Sequence, residues 1–227
     1  ELQQRGQVEI SLSPLTHVLS GVVTIRATVT GDLLRSLDLH LVDNLAVASV
    51  TLGAAPLAFT HQLGLITVTL PRDYLLGEDF ELAITYSGDP AGASFGWGNV
   101  NGQDLVWTLS EPYGAREWWP CKDLNADKAD GADIQITVPS NLIVASNGNL
   151  VSQQNVGGGQ TKYHWRENHP ICTYLVSLAA HPYTVFSDWY VAAGGDSLEI
   201  RNFVVPAYEQ QARNGYAQVP QMIAAFA

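Results

Sequence analysis

Apolar and polar residues alternate with a period of two along most of the chain. Val23, Ile25, Ala27 and Val29 alternate with Thr24, Arg26, Thr28 and Thr30. Phe80, Leu82, Ile84 and Tyr86 alternate with Glu81, Ala83 and Thr85, and Ile134, Ile136 and Val138 with Asp133, Gln135 and Thr137. Leu37, Leu39 and Leu41 keep the same spacing. Successive side chains of a strand point to opposite faces, so the pattern predicts strands with one face buried and the other in water. Turn-forming runs separate them: Gly31-Asp32, Asp43-Asn44, Ser87-Gly88-Asp89-Pro90, Asn147-Gly148, Gly157-Gly158-Gly159 and Gly194-Gly195. Strands this closely spaced, with no helical segment between them, predict an all-β protein built of antiparallel sheets rather than βαβ units. No internal repeat of fixed period is present.

The pattern changes after Phe203-Val204-Val205-Pro206. Ala, Gln and Met enrichment over residues 207–227 favours helix. The region opens after one proline, and a second, Pro220, is expected to start a new helical turn or a kink. The final Met222-Ile223-Ala224-Ala225-Phe226-Ala227 reads as an apolar helix left unfinished, so the natural protein is expected to continue.

Composition narrows the function. The chain has 227 residues, of which 46% are hydrophobic and 15% charged, values that suit a folded, turn-rich protein. A formal net charge of −11 repels nucleic acid and anionic membranes, so neither is an expected partner. No run of about 18 apolar residues occurs, so no membrane span is expected. Few lysines and many glutamines fit an exported bacterial protein, periplasmic or secreted. The two cysteines, Cys121 and Cys172, form neither a disulfide framework nor a Cys-x-x-Cys zinc pair, and read as buried free thiols.

Complete catalytic sets are missing. There is no His-Glu-x-x-His, no Gly-x-Ser-x-Gly elbow and no phosphate loop. His164 and His169 stand five apart in a strand-like segment and read as structural. Asp123, Asn125 and Asp127 imitate the start of a calcium loop. Lys128 stands where such a loop has glycine and Ile134 where it has glutamate, so a surface loop tied by Asp–Lys contacts is expected. Six tryptophans, at 97, 107, 118, 119, 165 and 189, read mainly as core or interdomain residues.

The densest chemistry lies in Ser110-Glu-Pro-Tyr-Gly-Ala-Arg-Glu-Trp-Trp-Pro-Cys-Lys-Asp123. Arg116 is the natural counter-ion for Glu111, Glu117 or Asp123, because buried carboxylates need a partner. Two readings stand side by side: a structural ion-pair corner, or a site in which one carboxylate stays unpaired and faces a ligand cation.

That stretch, with Asp127-Lys128-Ala129-Asp130, Pro139 to Gly148, Pro170 to Leu178, Phe186 to Tyr190 and Val219 to Ile223, resembles the N-terminal domain of zinc aminopeptidases of the aminopeptidase N and leukotriene hydrolase type. The resemblance is dense from about Asp104 onward. It implies a saddle-like all-β N-terminal domain over residues 1–203, with residues 204–227 opening a thermolysin-like catalytic domain that carries the zinc ligands and the general base. It implies that the chain alone is catalytically inert and holds no metal, while the full-length enzyme uses Zn. Glu111 is the implied substrate-binding residue, receiving the free α-amine of a peptide, with Tyr113 lining the first specificity pocket. Many members of that family carry Gln at the position of Leu109, so a contact from that side chain is not carried over. Arg116, Pro120, Cys121 and Asp123 are assigned to maintaining the fold. The implied partners are the protein's own catalytic domain and peptides with a free N-terminus. Two alternatives remain: a free-standing β-sandwich module binding carbohydrate or protein through exposed tryptophans, and a structural domain without a pocket.

Overall fold

The computed structural model describes residues 2–90 and 92–226, with side chains from Arg5 onward. The strands in chain order are β1 (Leu2–Ser13), β2 (Val18–Val29), β3 (Leu33–His40), β4 (Leu45–Leu52), β5 (Ala55–Pro56), β6 (Phe59–Gln62), β7 (Leu65–Leu75), β8 (Asp79–Gly88), β9 (Phe95–Val100), β10 (Gln103–Thr108), β11 (Ala132–Pro139), β12 (Ile143–Ser146), β13 (Asn149–Gly157), β14 (Gln160–Glu167), β15 (Leu178–His181), β16 (Thr184–Val191) and β17 (Ser197–Val204). Two helices follow, α1 (Glu209–Tyr216) and α2 (Val219–Phe226). The all-β expectation holds, with its helical segment at the C-terminal end.

The largest sheet has eight strands in the order β13-β14-β11-β1-β2-β8-β4-β5. Its register explains the alternation read from the sequence. Trp165, Ile134, Val8, Val23, Ile84 and Val50 lie side by side on successive strands, and all six are buried. The residues between them face water and pair across strands: Lys162 with Glu9 at 2.6 Å, and Arg166 and His164 with Asp133, each at 2.7 Å. Burial raises the pKa of Asp133, and the hydrogen bonds from Arg166 and His164 outweigh it, leaving the carboxyl below its ordinary value.

One pairing departs from the antiparallel expectation. β1 and β11 run parallel, joining strands far apart in sequence. Nothing in a local pattern encodes such a pairing, because parallel strands need a long connection and here most of the other strands supply it.

Smaller sheets share the core: β12-β15-β10-β9, β3-β7-β6 and the hairpin β16-β17. Leu37, Leu39, Ile66 and Val68 from one of them, and Val106, Val144, Leu178 and Ala180 from another, join the inner face of the large sheet in one apolar cluster. This burial supplies the main stabilisation, at roughly 25 cal/mol per Å² of apolar surface. The predicted turns fall at strand ends, and Gly148, Gly157, Gly158, Gly159 and Gly195 all take positive φ there. Pro220 is the second residue of α2, where a missing N–H costs nothing, as the pattern predicts.

Candidate functional site

Strand β10 ends at Thr108, and the chain then makes a tight corner rather than another strand. The Gly114 N–H donates to the Ser110 carbonyl at 2.7 Å, closing a five-residue turn whose tip is Glu111-Pro112-Tyr113. A short 3₁₀ turn over Ala115–Glu117 follows. Gly114 is required by space rather than by torsion. Its φ is −99°, open to any residue, yet an added Cβ would sit 1.8 Å from Ser94 Oγ. The corner then rejoins the fold at Cys121, which exchanges two backbone hydrogen bonds with His40 at the end of β3.

The two tryptophans anchor this corner from inside. Trp118 is fully buried and Trp119 nearly so. The Trp118 indole N–H donates to Ser110 Oγ at 3.0 Å, and the Tyr86 hydroxyl donates to the Trp118 carbonyl at 3.0 Å. Trp189 is 55% exposed, while Trp118, Trp119 and Trp165 belong to the core, in line with the burial reading of the tryptophans.

The three acids have different fates. Asp123 is fully buried; Arg116 Nε donates to its Oδ2 at 2.6 Å, and Thr173 Oγ1 to its Oδ1 at 3.4 Å. Glu117 Oε2 accepts the Ser94 N–H at 2.7 Å and so holds the segment before β9. The Glu111 carboxylate accepts no hydrogen bond and makes no ion pair with the described residues, and it is exposed. Arg116 therefore serves Asp123, not Glu111: an ion-pair corner built on Asp123 carries at its tip a Glu111 that has no partner among the described residues.

Other titratable groups at and near the corner make contacts within the fold. Burial pushes the Cys121 thiol well above its ordinary pKa, which leaves it protonated and unreactive. Cys121 and Cys172 are both free and buried. Burial, and then the charge of Arg116, lowers the pKa of His40; its Nδ1 accepts the Asp123 N–H at 3.3 Å, as a neutral imidazole can. The loop after Asp123 is tied by a Lys122–Asp127 ion pair, which fits the Asp–Lys loop expected there. His164 and His169 are apart in role, one on Asp133 and the other on Glu167.

Glu111 stands among apolar neighbours in sequence. Leu109 is 66% exposed and Tyr113 57% exposed, on either side of it. The loops that meet Asp123 also present apolar side chains outward, Leu124 and Leu175. Grooves of about 590 and 700 Å³ lie elsewhere, one beside Arg5 and Arg26 and one between Trp165 and Trp189, and neither is lined by residues of the corner. Among the described residues no group of three or more His, Cys, Asp and Glu could hold a metal ion. No helix is long and apolar enough to cross a membrane.

Sequence reasoning identified Glu111, Tyr113, Arg116 and Asp123 but not their long-range supports, Ser94, His40, Tyr86 and Thr173. These lie 23 to 83 positions from the corner residues they bond, Glu117, Trp118 and Asp123. Only the density of Trp, Arg and acid in the stretch pointed to such partners.

Comparison with known proteins is consistent with this architecture. The family described as the peptidase M1 N-terminal domain matches residues 4–175. The crystal structure of an M1 zinc metallopeptidase from Deinococcus radiodurans is 25% identical, with a TM-score of 0.77 over 89% of this chain and 47% of its own. A mutant of that protein bound to a Tyr-Ser-Ala substrate gives the same identity, score and coverage. A two-domain M1 zinc metallopeptidase mutant bound to L-arginine is also 25% identical, with a TM-score of 0.77 over 92% of this chain and 51% of its own. The chain thus spans about half the length of the structures it matches. No curated protein matches the sequence. With the family match extending over most of the chain, and the fold agreeing with it, the chain belongs to the peptidase M1 N-terminal domain family.

Proposed function

We propose that this chain is the N-terminal domain of a zinc aminopeptidase, and that it caps the active site of its parent protein and helps bind the free α-amine of peptide substrates. Residues 204–227 are read as the beginning of the catalytic domain, and the partners are that domain and peptides with a free N-terminus. The observation that carries the reading is the state of Glu111. A carboxylate presented at the tip of a rigid corner, with its own domain's arginine committed elsewhere, is suited to receive a cation from outside.

The physical argument is one of positioning. An ammonium group meets an anion in a charge-assisted hydrogen bond, stronger than a neutral one and stronger again once a second domain excludes water. Holding the amine fixes where the first peptide carbonyl lies, and a fixed carbonyl is easier to attack. Tyr113, exposed two residues on, supplies an apolar wall for the first side chain of the substrate. The similar structures are zinc metallopeptidases, and zinc would be held by the catalytic domain of the parent protein.

The test is made in the full-length parent protein with aminoacyl p-nitroanilides. Replacing Glu111 by Ala removes a hydrogen bond to a charged group and is expected to lower kcat/KM about ten- to a hundredfold, with the melting temperature unchanged. Glu111→Gln keeps an acceptor and should lose less. A Glu111→Ala enzyme that works at the wild-type rate overturns the reading.

A further inference from the structure

Among the described residues none bonds the Glu111 side chain, so its position depends on the backbone beside it. That backbone is held at Ser110, and by a route that leads into the core. Ser110 is 3% exposed. Its carbonyl accepts the Gly114 N–H at 2.7 Å and its hydroxyl oxygen accepts the Trp118 indole N–H at 3.0 Å. Trp118 is fixed in turn by the Tyr86 hydroxyl, which donates to its carbonyl from β8 in the large sheet. On the other side the Leu109 N–H donates to the Ser94 carbonyl at 2.9 Å, and Gly114 packs against the Ser94 side chain with no room for a methyl group.

We infer that Ser110 and Trp118 are positioning residues: their side-chain hydrogen bond sets where the Glu111 carboxylate stands, and so how well it meets the substrate amine. The inference rests on the amine-binding reading of Glu111 and adds to it the device that aims the carboxylate. The chemistry needs this hydroxyl. With Ser110 reduced to Ala, the buried indole N–H loses its acceptor, the turn keeps only its backbone bond, and the tip carrying Glu111 is free to pivot. A hydrogen bond to a charged ligand tolerates little displacement, since its strength falls steeply with distance and angle.

The experiment is a double-mutant cycle in the full-length protein, reading kcat/KM on an aminoacyl p-nitroanilide and the melting temperature together. Ser110→Ala should lower kcat/KM about fivefold in the wild-type background: a misplacement of about 1 Å costs on the order of a hundredfold, and the backbone bond that remains keeps the shift of the tip smaller than that. In the Glu111→Ala background the same substitution should change kcat/KM by less than about 1.5-fold, because a device that acts through Glu111 has nothing left to aim. Trp118→Phe keeps the buried ring and removes only the N–H; it should reproduce both results and stands in if Ser110→Ala does not fold. An equal fractional loss in the two backgrounds means the pair serves stability alone and overturns the inference. So does a wild-type rate for both Ser110→Ala and Trp118→Phe while Glu111→Ala is slow. A wild-type rate for Glu111→Ala overturns the amine-binding reading itself.

Discussion

Residues 109–123 and residues 205–226 both depart from the strand alternation, and they are built in opposite ways. The corner is short, yet it is fastened to four distant parts of the chain through Ser94, Tyr86, His40 and Thr173. The C-terminal segment is regular helix, yet none of the residues of α1 or α2 is buried. Its main ties are an Arg213–Glu209 pair one turn apart, Arg213 lying 4.0 Å over the Phe186 ring, and contacts between α2 and β16. Helices of eight residues are marginal by themselves, and with no buried residue α1 and α2 draw little support from tertiary packing, while the corner is held by it. The difference decides what can be read from each. Where nearly every polar group is committed, the one uncommitted carboxylate stands out. In the helical segment Tyr208, Tyr216, Met222 and Phe226 are all exposed, so no single side chain is marked.

The largest effect should come from breaking the ion pair of the corner. Arg116→Met leaves Asp123 fully buried without its counter-ion. Removing one partner of a buried pair costs about 3–5 kcal/mol, and urea unfolding should show a loss of that order. Glu111→Ala, a few residues away, should change stability by less than about 0.5 kcal/mol, as exposed groups without partners do. Equal losses for the two would mean the corner is not divided into a held part and a free tip.

Gly114→Ala tests the packing of the same corner. The new methyl would lie 1.8 Å from Ser94 Oγ and 2.6 Å from Ser94 Cβ, so it must displace one element or the other. Overpacking of this kind costs about 1–3 kcal/mol. Because the clash is with the Ser94 side chain, Ser94→Gly should recover part of the loss, whereas Ser94→Ala, which keeps the Cβ, should recover little. Thermal unfolding of the three variants separates a steric cause from a torsional one, which Ser94→Gly could not relieve.

The helical segment supplies the contrast. Met222 is 53% exposed and Phe226 93% exposed, so replacing both by Ser should cost this chain less than about 0.5 kcal/mol. The amides of α2 should exchange with deuterium well before those of Gly114 and Cys121, whose hydrogen bonds open only with the core. A loss in the Met222→Ser, Phe226→Ser variant that rivals that of Gly114→Ala would erase the distinction.

How much of this was legible in the sequence follows the same line. The strands were legible because their apolar residues repeat every second position, and residues on one rung of the large sheet share that phase. The helical end was legible from propensity and from the placing of Pro206 and Pro220. The parallel pairing of β1 with β11 was not, since no turn or short connection encodes it. Within the corner, the residue types announced that something was held there, but not which acid took the arginine. Glu111, Glu117 and Asp123 lie five, one and seven positions from Arg116, and spacing alone does not rank them. The fold ranks them by burial: Asp123 is carried inward beside Thr173, Glu117 turns to the Ser94 N–H, and Glu111 is left at the tip.

The smallest effect is a pH dependence carried by His40, which joins the corner to β3. Burial first, and the nearby Arg116 charge second, hold its pKa below the ordinary 6.5, although Asp123 and Asp38 act the other way. The unfolded chain therefore binds a proton at this site before the folded one does. That contribution to stability is fully present above pH 6.5, declines as the pH falls below it, and is lost once the pH has fallen through the lower folded value. Protonation would also turn Nδ1 from acceptor to donor against the Asp123 N–H it now accepts. Melting temperatures measured from pH 7.5 down to pH 5 should fall, and His40→Asn, which keeps an acceptor near that position but cannot take a proton, should flatten the fall. Asp133, whose pKa lies below its ordinary 3.8, loses its contribution only at lower pH, so it does not mimic this slope. A slope unchanged in His40→Asn would place the titration outside the corner and leave the corner's stability, unlike its Asp123–Arg116 pair, independent of His40.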